Sequence, residues 1–167
     1  MFRGVPIRSF EVLAMVFLTV AILLPAIHPG TTRADHDKGP FGIGIIFGEP
    51  TGIDGKLFLT PSNAVEGAVA WSLSGNNNLH LQVEYLYHRY DLITVKKGQL
   101  PLFFGVGGRF IFREKAKDII GVRIPVGLAY EFEGAPFDVF GEIVPILDIT
   151  PDTDFDLEGA IGGRFWF

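Results

Sequence analysis

The stretch Phe155-Asp156-Leu157-Glu158-Gly159-Ala160-Ile161-Gly162-Gly163-Arg164-Phe165-Trp166-Phe167 decides how this chain is read. Every second residue, from Phe155 through Leu157, Gly159, Ile161, Gly163 and Phe165 to Phe167, is apolar or glycine. The residues between them include Asp156, Glu158 and Arg164. Strand side chains alternate between two faces, so one face of this segment suits an apolar surrounding and the other carries charge.

The same period-two pattern recurs upstream, and no long stripe of helical period competes with it. Between Asp118 and Phe132, Ile120, Val122, Ile124, Val126, Leu128 and Tyr130 share a face opposite Gly121, Arg123, Pro125, Gly127, Ala129 and Glu131. The spacing predicts eight strands: Phe41–Gly48, Ile53–Thr60, Ala64–Leu73, Leu79–Tyr90, Leu100–Arg113, Asp118–Phe132, Pro136–Asp148 and Phe155–Phe167. Turn residues separate them, such as Glu49-Pro50-Thr51-Gly52, Pro61-Ser62-Asn63, Lys96-Lys97-Gly98 and Glu133-Gly134-Ala135-Pro136. All connections are short, so neighbouring strands are expected to pair as antiparallel hairpins.

An eight-stranded up-and-down antiparallel barrel follows, either transmembrane or soluble. Both kinds alternate, and parity alone does not say which face is inside. Three features favour the transmembrane β-barrel. The charged face is rich in Gly and Ala, which suits a narrow interior. The apolar face carries aromatics near strand ends (Phe47, Trp71, Tyr85, Tyr87, Tyr130, Phe165 and Phe167), as interfacial girdles do. The last strand is itself of this kind. In hydrocarbon an open sheet edge is excluded, so the first strand must pair with the last. The connections near Glu49, Asn76, Lys115 and Asp152 would then face outward, and those near Pro61, Lys97 and Gly134 the periplasm.

Residues 1–34 read as a cleaved signal peptide: Arg3 and Arg8, an apolar run from Val12 to Ile27, and Thr32-Arg33-Ala34 before Asp35. An uncleaved anchor is the competing reading. The barrel domain is then 35–167. The 167-residue chain has no Cys, which excludes disulfides and thiolate metal sites. Export without cross-links fits a Gram-negative envelope protein. The formal net charge is −5, and loss of residues 1–34 takes three Arg but only Glu11, leaving the rest more acidic. That argues against nucleic acid as a partner.

The charges expected in the lumen are Lys56, Arg109, Arg113, Arg123 and Arg164 against Glu66, Glu84, Glu131, Asp138, Glu142, Asp156 and Glu158. Buried charges persist when paired, and an eight-stranded interior is just wide enough for side chains. A plugged salt-bridge network is the first expectation. A narrow pore gated around Arg109, Arg123 and Glu142 is the second. His80 and His88 share a face but lie about 27 Å apart at strand spacing, too far to hold one metal. No metal or cofactor is expected. Ser72 and His80 flank one hairpin, so a lipid-modifying hydrolase is a third expectation, although both carry the polar parity. Phe104-Gly105-Val106-Gly107-Gly108 opens no helix, so a phosphate loop is not supported. Asp152, Asp154 and Asp156 lack the Gly and bidentate Glu of a calcium loop.

The final residues also resemble the C-terminal targeting strand of bacterial outer-membrane barrels, which ends on an aromatic with another two positions earlier. Phe165 and Phe167 fit that pattern, and so does Gly162; Ala160 stands where a polar residue is usual. The predicted barrel region resembles the small outer-membrane barrels of OmpA or OmpX type. The Gly48-Glu49-Pro50-Thr51-Gly52 and Gly134-Ala135-Pro136 turns look like those of a family of uncharacterised envelope barrels. The resemblance implies an outer-membrane location, lipid contact, the barrel-assembly machinery as a biogenesis partner, and a monomer. It implies no activity; a structural or surface role without catalysis is the expectation.

Overall fold

The computed structural model describes residues 39–48, 51–71, 79–113 and 116–167. The predicted signal segment, Ser72 and Ser74 lie outside them. Within them the chain is all β, with nine ladder segments: β1 (Phe41–Gly48), β2 (Gly52–Phe58), β3 (Asn63–Trp71), β4 (Leu79–Arg89), β5 (Leu102–Phe112), β6 (Ile119–Arg123), β7 (Val126–Glu131), β8 (Phe137–Thr150) and β9 (Asp154–Trp166). Each pairs antiparallel with its neighbour along the chain, except that β6 and β7 share one position between β5 and β8. The ring closes where β1 meets β9, from Gly42 opposite Trp166 to Gly48 opposite Ala160. Nine segments therefore make eight staves of an up-and-down barrel.

The sixth strand departs from the single run expected over Asp118–Phe132. It breaks at Ile124 and Pro125, between β6 and β7. Proline has no N–H, so it cannot complete a ladder pair. Pro145 lies in the same gap on β8. Each proline still accepts: Gly105 N–H donates to the Pro125 carbonyl and Ile124 N–H to the Pro145 carbonyl, both at 3.0 Å. The register carries through the break, with Arg123 opposite Gly107 and Val126 opposite Phe104. The strand is interrupted in hydrogen bonding but not in direction, and its parity survives.

Burial settles which face is inside. Ile143 is 60 % exposed and Ile161 66 %, whereas Arg164 is 0 % and Arg123 1 %. The apolar set points out and the charged set points in. A water-soluble barrel buries the opposite set. Positive φ falls on glycines in turns, at Gly98 and at Gly134, where other residues would be strained.

Candidate lumen charge network

One hydrogen-bonded row crosses five strands inside the barrel. Lys56 on β2 lies opposite Glu66 on β3, Glu66 opposite Glu84 on β4, Glu84 opposite Gly107 on β5, and Gly107 opposite Arg123 on β6. Two carboxylates placed directly opposite repel. Each is drawn to a cation on its other side. Lys56 Nζ lies 3.2 Å from Glu66 Oε2, and Arg123 Nε donates to Glu84 Oε1 at 2.5 Å. The second contact passes over β5 because position 107 is glycine. A Cβ there would meet Glu84 Cγ at 2.5 Å. This accounts for a glycine within the run 105–108.

Arg123 also donates from Nη1 to Glu158 Oε2 at 2.5 Å. The other oxygen of Glu158 accepts from Arg109 Nη1 at 2.5 Å. Arg109 grips Asp148 with two bonds, from Nε at 2.9 Å and Nη2 at 2.6 Å, and reaches Asp156 at 3.2 Å. A continuous chain thus runs Asp148–Arg109–Glu158–Arg123–Glu84. A second cluster centres on Arg164, which donates to Asp54 Oδ2 at 2.5 Å and Glu66 Oε1 at 3.2 Å. Its guanidinium carbon lies 3.8 Å from the centroid of the Phe140 ring, a cation–π contact. Gly44 makes room for this cluster, since a Cβ there would meet Arg164 Cγ and Asp54 Oδ1 at 2.5 Å each.

Toward the end of the barrel where β2 and β9 finish, the filling turns aromatic. Phe58 sits 5.4 Å from Trp166 and 4.9 Å from His88, and His88 sits 5.7 Å from Phe103. Trp166 Nε1 donates to Asp138 at 2.8 Å, and Tyr90 Oη to Glu131 at 3.0 Å. These rings line the interior at that end of the barrel.

One solved structure matches in fold. The N-terminal β-barrel domain of Pseudomonas aeruginosa OprF superposes with a TM-score of 0.56 and 13 % identity, over 78 % of this chain and all of that domain. No family model and no curated protein matches the sequence. At that identity the likeness speaks for the barrel fold alone.

Of the charges expected in the lumen, Lys56, Glu66, Glu84, Arg109, Arg123, Glu131, Asp138, Glu142, Glu158 and Arg164 are buried. Two lie elsewhere. Arg113 follows the end of β5 and is only partly covered, its N–H donating to Asp118. The Asp156 side chain is 48 % exposed, although it reaches Arg109. Asp54 and Asp148 belong to the network and were not among the expected residues. Phe165 and Phe167 face outward, packed edge to face at 5.1 Å, and Gly162 faces inward against Phe140. Of the two histidines, His88 is buried, its Nδ1–H donating to the Ser62 carbonyl at 3.2 Å, whereas His80 is half-buried.

Among the described residues, eight buried carboxylates (Asp54, Glu66, Glu84, Glu131, Asp138, Glu142, Asp148 and Glu158) face four buried cations, Lys56, Arg109, Arg123 and Arg164. Outside the strands, Asp91 accepts two bonds of 2.7 Å from Arg89, which hold its carboxyl down at about 2.

Proposed function

We propose that this chain is an integral outer-membrane β-barrel with a plugged lumen and a structural or surface role, without catalysis. The observation that carries the reading is the inverted barrel: a closed ring with apolar side chains outside and ion pairs inside. Closure leaves no unpaired edge, and an apolar belt of this extent is stabilised in lipid and penalised in water. The fold likeness to the OprF barrel domain supports it. Export by residues 1–34, passage through the barrel-assembly machinery with Gly162, Phe165 and Phe167 as its signal, and a monomeric state belong to the same proposal.

The test is insertion and conductance. Residues 35–167, refolded into lipid vesicles, should give a compact, heat-modifiable band on a gel and silence in a planar bilayer. Discrete reproducible openings would instead establish a pore. A lipid-modifying enzyme is the third reading, and a lipid A mass change lost in Ser72→Ala would establish it.

A further inference from the structure

We infer that the barrel holds a divalent cation of calcium type between Glu66, Glu84 and Glu142. The three come from β3, β4 and β8, so they approach from facing walls of the lumen. One carboxylate oxygen from each lies within 4.8 Å of the others. Oxygens that close can share one cation at a calcium–oxygen distance of roughly 2.4 Å, and calcium accepts an irregular shell more readily than magnesium does. All three are carboxylates, the donor type of a hard cation.

A cluster of acids is not in itself a site. Here a second observation points to a ligand. Both oxygens of Glu142 are buried without a hydrogen-bond partner, and so is Glu84 Oε2. Glu142 is 6 % exposed and Glu84 2 %. Glu84 Oε1 is committed to Arg123, Glu66 Oε1 to Arg164 and Glu66 Oε2 to Lys56. The two oxygens of Glu142 and Glu84 Oε2 are thus left without a protein partner, with water to complete the shell. Glu142 itself is flanked on the neighbouring strands by Gly127 and Ala160, neither of which brings it a polar side chain.

Charge balance points the same way. Even leaving Glu131 aside, the described lumen has seven buried carboxylates to four buried cations, and uncompensated buried charge is costly. The cations nearest the cluster are already engaged. Arg123 Nη2 stands 3.9 Å from Glu142 Oε1, outside hydrogen-bond reach, while its Nε and Nη1 serve Glu84 and Glu158. Lys56 reaches only Glu66. Their repulsion lowers the affinity, toward the roughly 10⁻⁴–10⁻³ M of weak extracellular calcium modules.

The experiment uses Mn²⁺ as a paramagnetic probe on the refolded chain, followed by electron paramagnetic resonance with Ca²⁺ as competitor. The expected result is one Mn²⁺ per barrel, displaced by Ca²⁺ and lost in Glu142→Gln. Glu142 makes no hydrogen bond, so that variant should keep the heat-modifiable band, and a folded variant without Mn²⁺ supports the site. The double variant Asp152→Asn/Asp154→Asn should bind as the parent does. No Mn²⁺ on the folded parent overturns the inference. So does binding unchanged in Glu142→Gln, which would place the ion on loops or lipid. So does an infrared carboxylic-acid band in the parent that disappears in Glu142→Gln without any ion uptake, which would make protons the compensating charge.

Discussion

Replacing Arg123 with Ala should cost more stability than breaking an exposed ion pair. Arg123 is 1 % exposed and makes charge-assisted bonds of 2.5 Å to Glu84 and to Glu158. Each such bond contributes about 1.5–3 kcal/mol. The loss is uneven between partners. Glu158 keeps Arg109, but Glu84 is left opposite Glu66 with no cation on its free side. Stranding one buried charge costs roughly 3–5 kcal/mol, and we place Arg123→Ala in that range. Equilibrium urea unfolding of the barrel in lipid vesicles, read by tryptophan fluorescence, measures it directly. Arg89→Ala serves as the control, because the Arg89–Asp91 pair is exposed and its loss should move the midpoint far less. The double variant Arg123→Met/Glu84→Gln should recover much of the loss, since the carboxylate that Arg123→Ala strands at position 84 is then gone. Equal midpoints for Arg123→Ala and the parent would refute the view that the network supports the barrel.

Three further outcomes follow from the same geometry. Ile143→Arg places a charge on the outer face and should destabilise the barrel in lipid by about 2–4 kcal/mol if that position lies near the midplane; a change below 1 kcal/mol would count against lipid contact there. Gly44→Val should cost about 1–3 kcal/mol through overpacking against Arg164 and Asp54, read as a lower urea midpoint. The Asp91 carboxyl should titrate near 2 by NMR and move back toward 3.8 in Arg89→Ala. Its folded value is depressed, so the pair's contribution is complete above about 3.8 and disappears as pH falls through about 2.

Much of this was legible because strand parity is a local property. Each segment shows its two faces in its own residues, and the alternation survives even where Pro125 breaks the ladder. Parity alone is symmetric about which face is inside; the small residues of the charged face and the aromatics near strand ends pointed to charge inside, and burial in the closed ring agrees. The parity that places Lys56 and Glu142 in the lumen also places Asp54 and Asp148 there, so the signal for the missed carboxylates was present. The inward aromatics Phe58, Phe103, Phe140 and Trp166 share that parity too, and an expectation of a polar lumen obscured them. Partner choice is another matter. Arg164 meets Asp54 and Glu66 only because β9 closes on β1, and Glu142 faces Glu66 only because eight staves set β8 across from β3. Closure and register fix those meetings, and no spacing along the chain records them.

The claim that the charged face is inside and the apolar face meets lipid is tested most directly by single-cysteine spin labelling, which the absence of native Cys makes straightforward. Labels at Val126, Ile143 and Ile161, all outward in the barrel wall, would be compared for collision with oxygen, which partitions into lipid, and with a water-soluble nickel chelate. The account predicts high oxygen and low nickel accessibility at all three. High nickel accessibility at these positions in a folded barrel would contradict it.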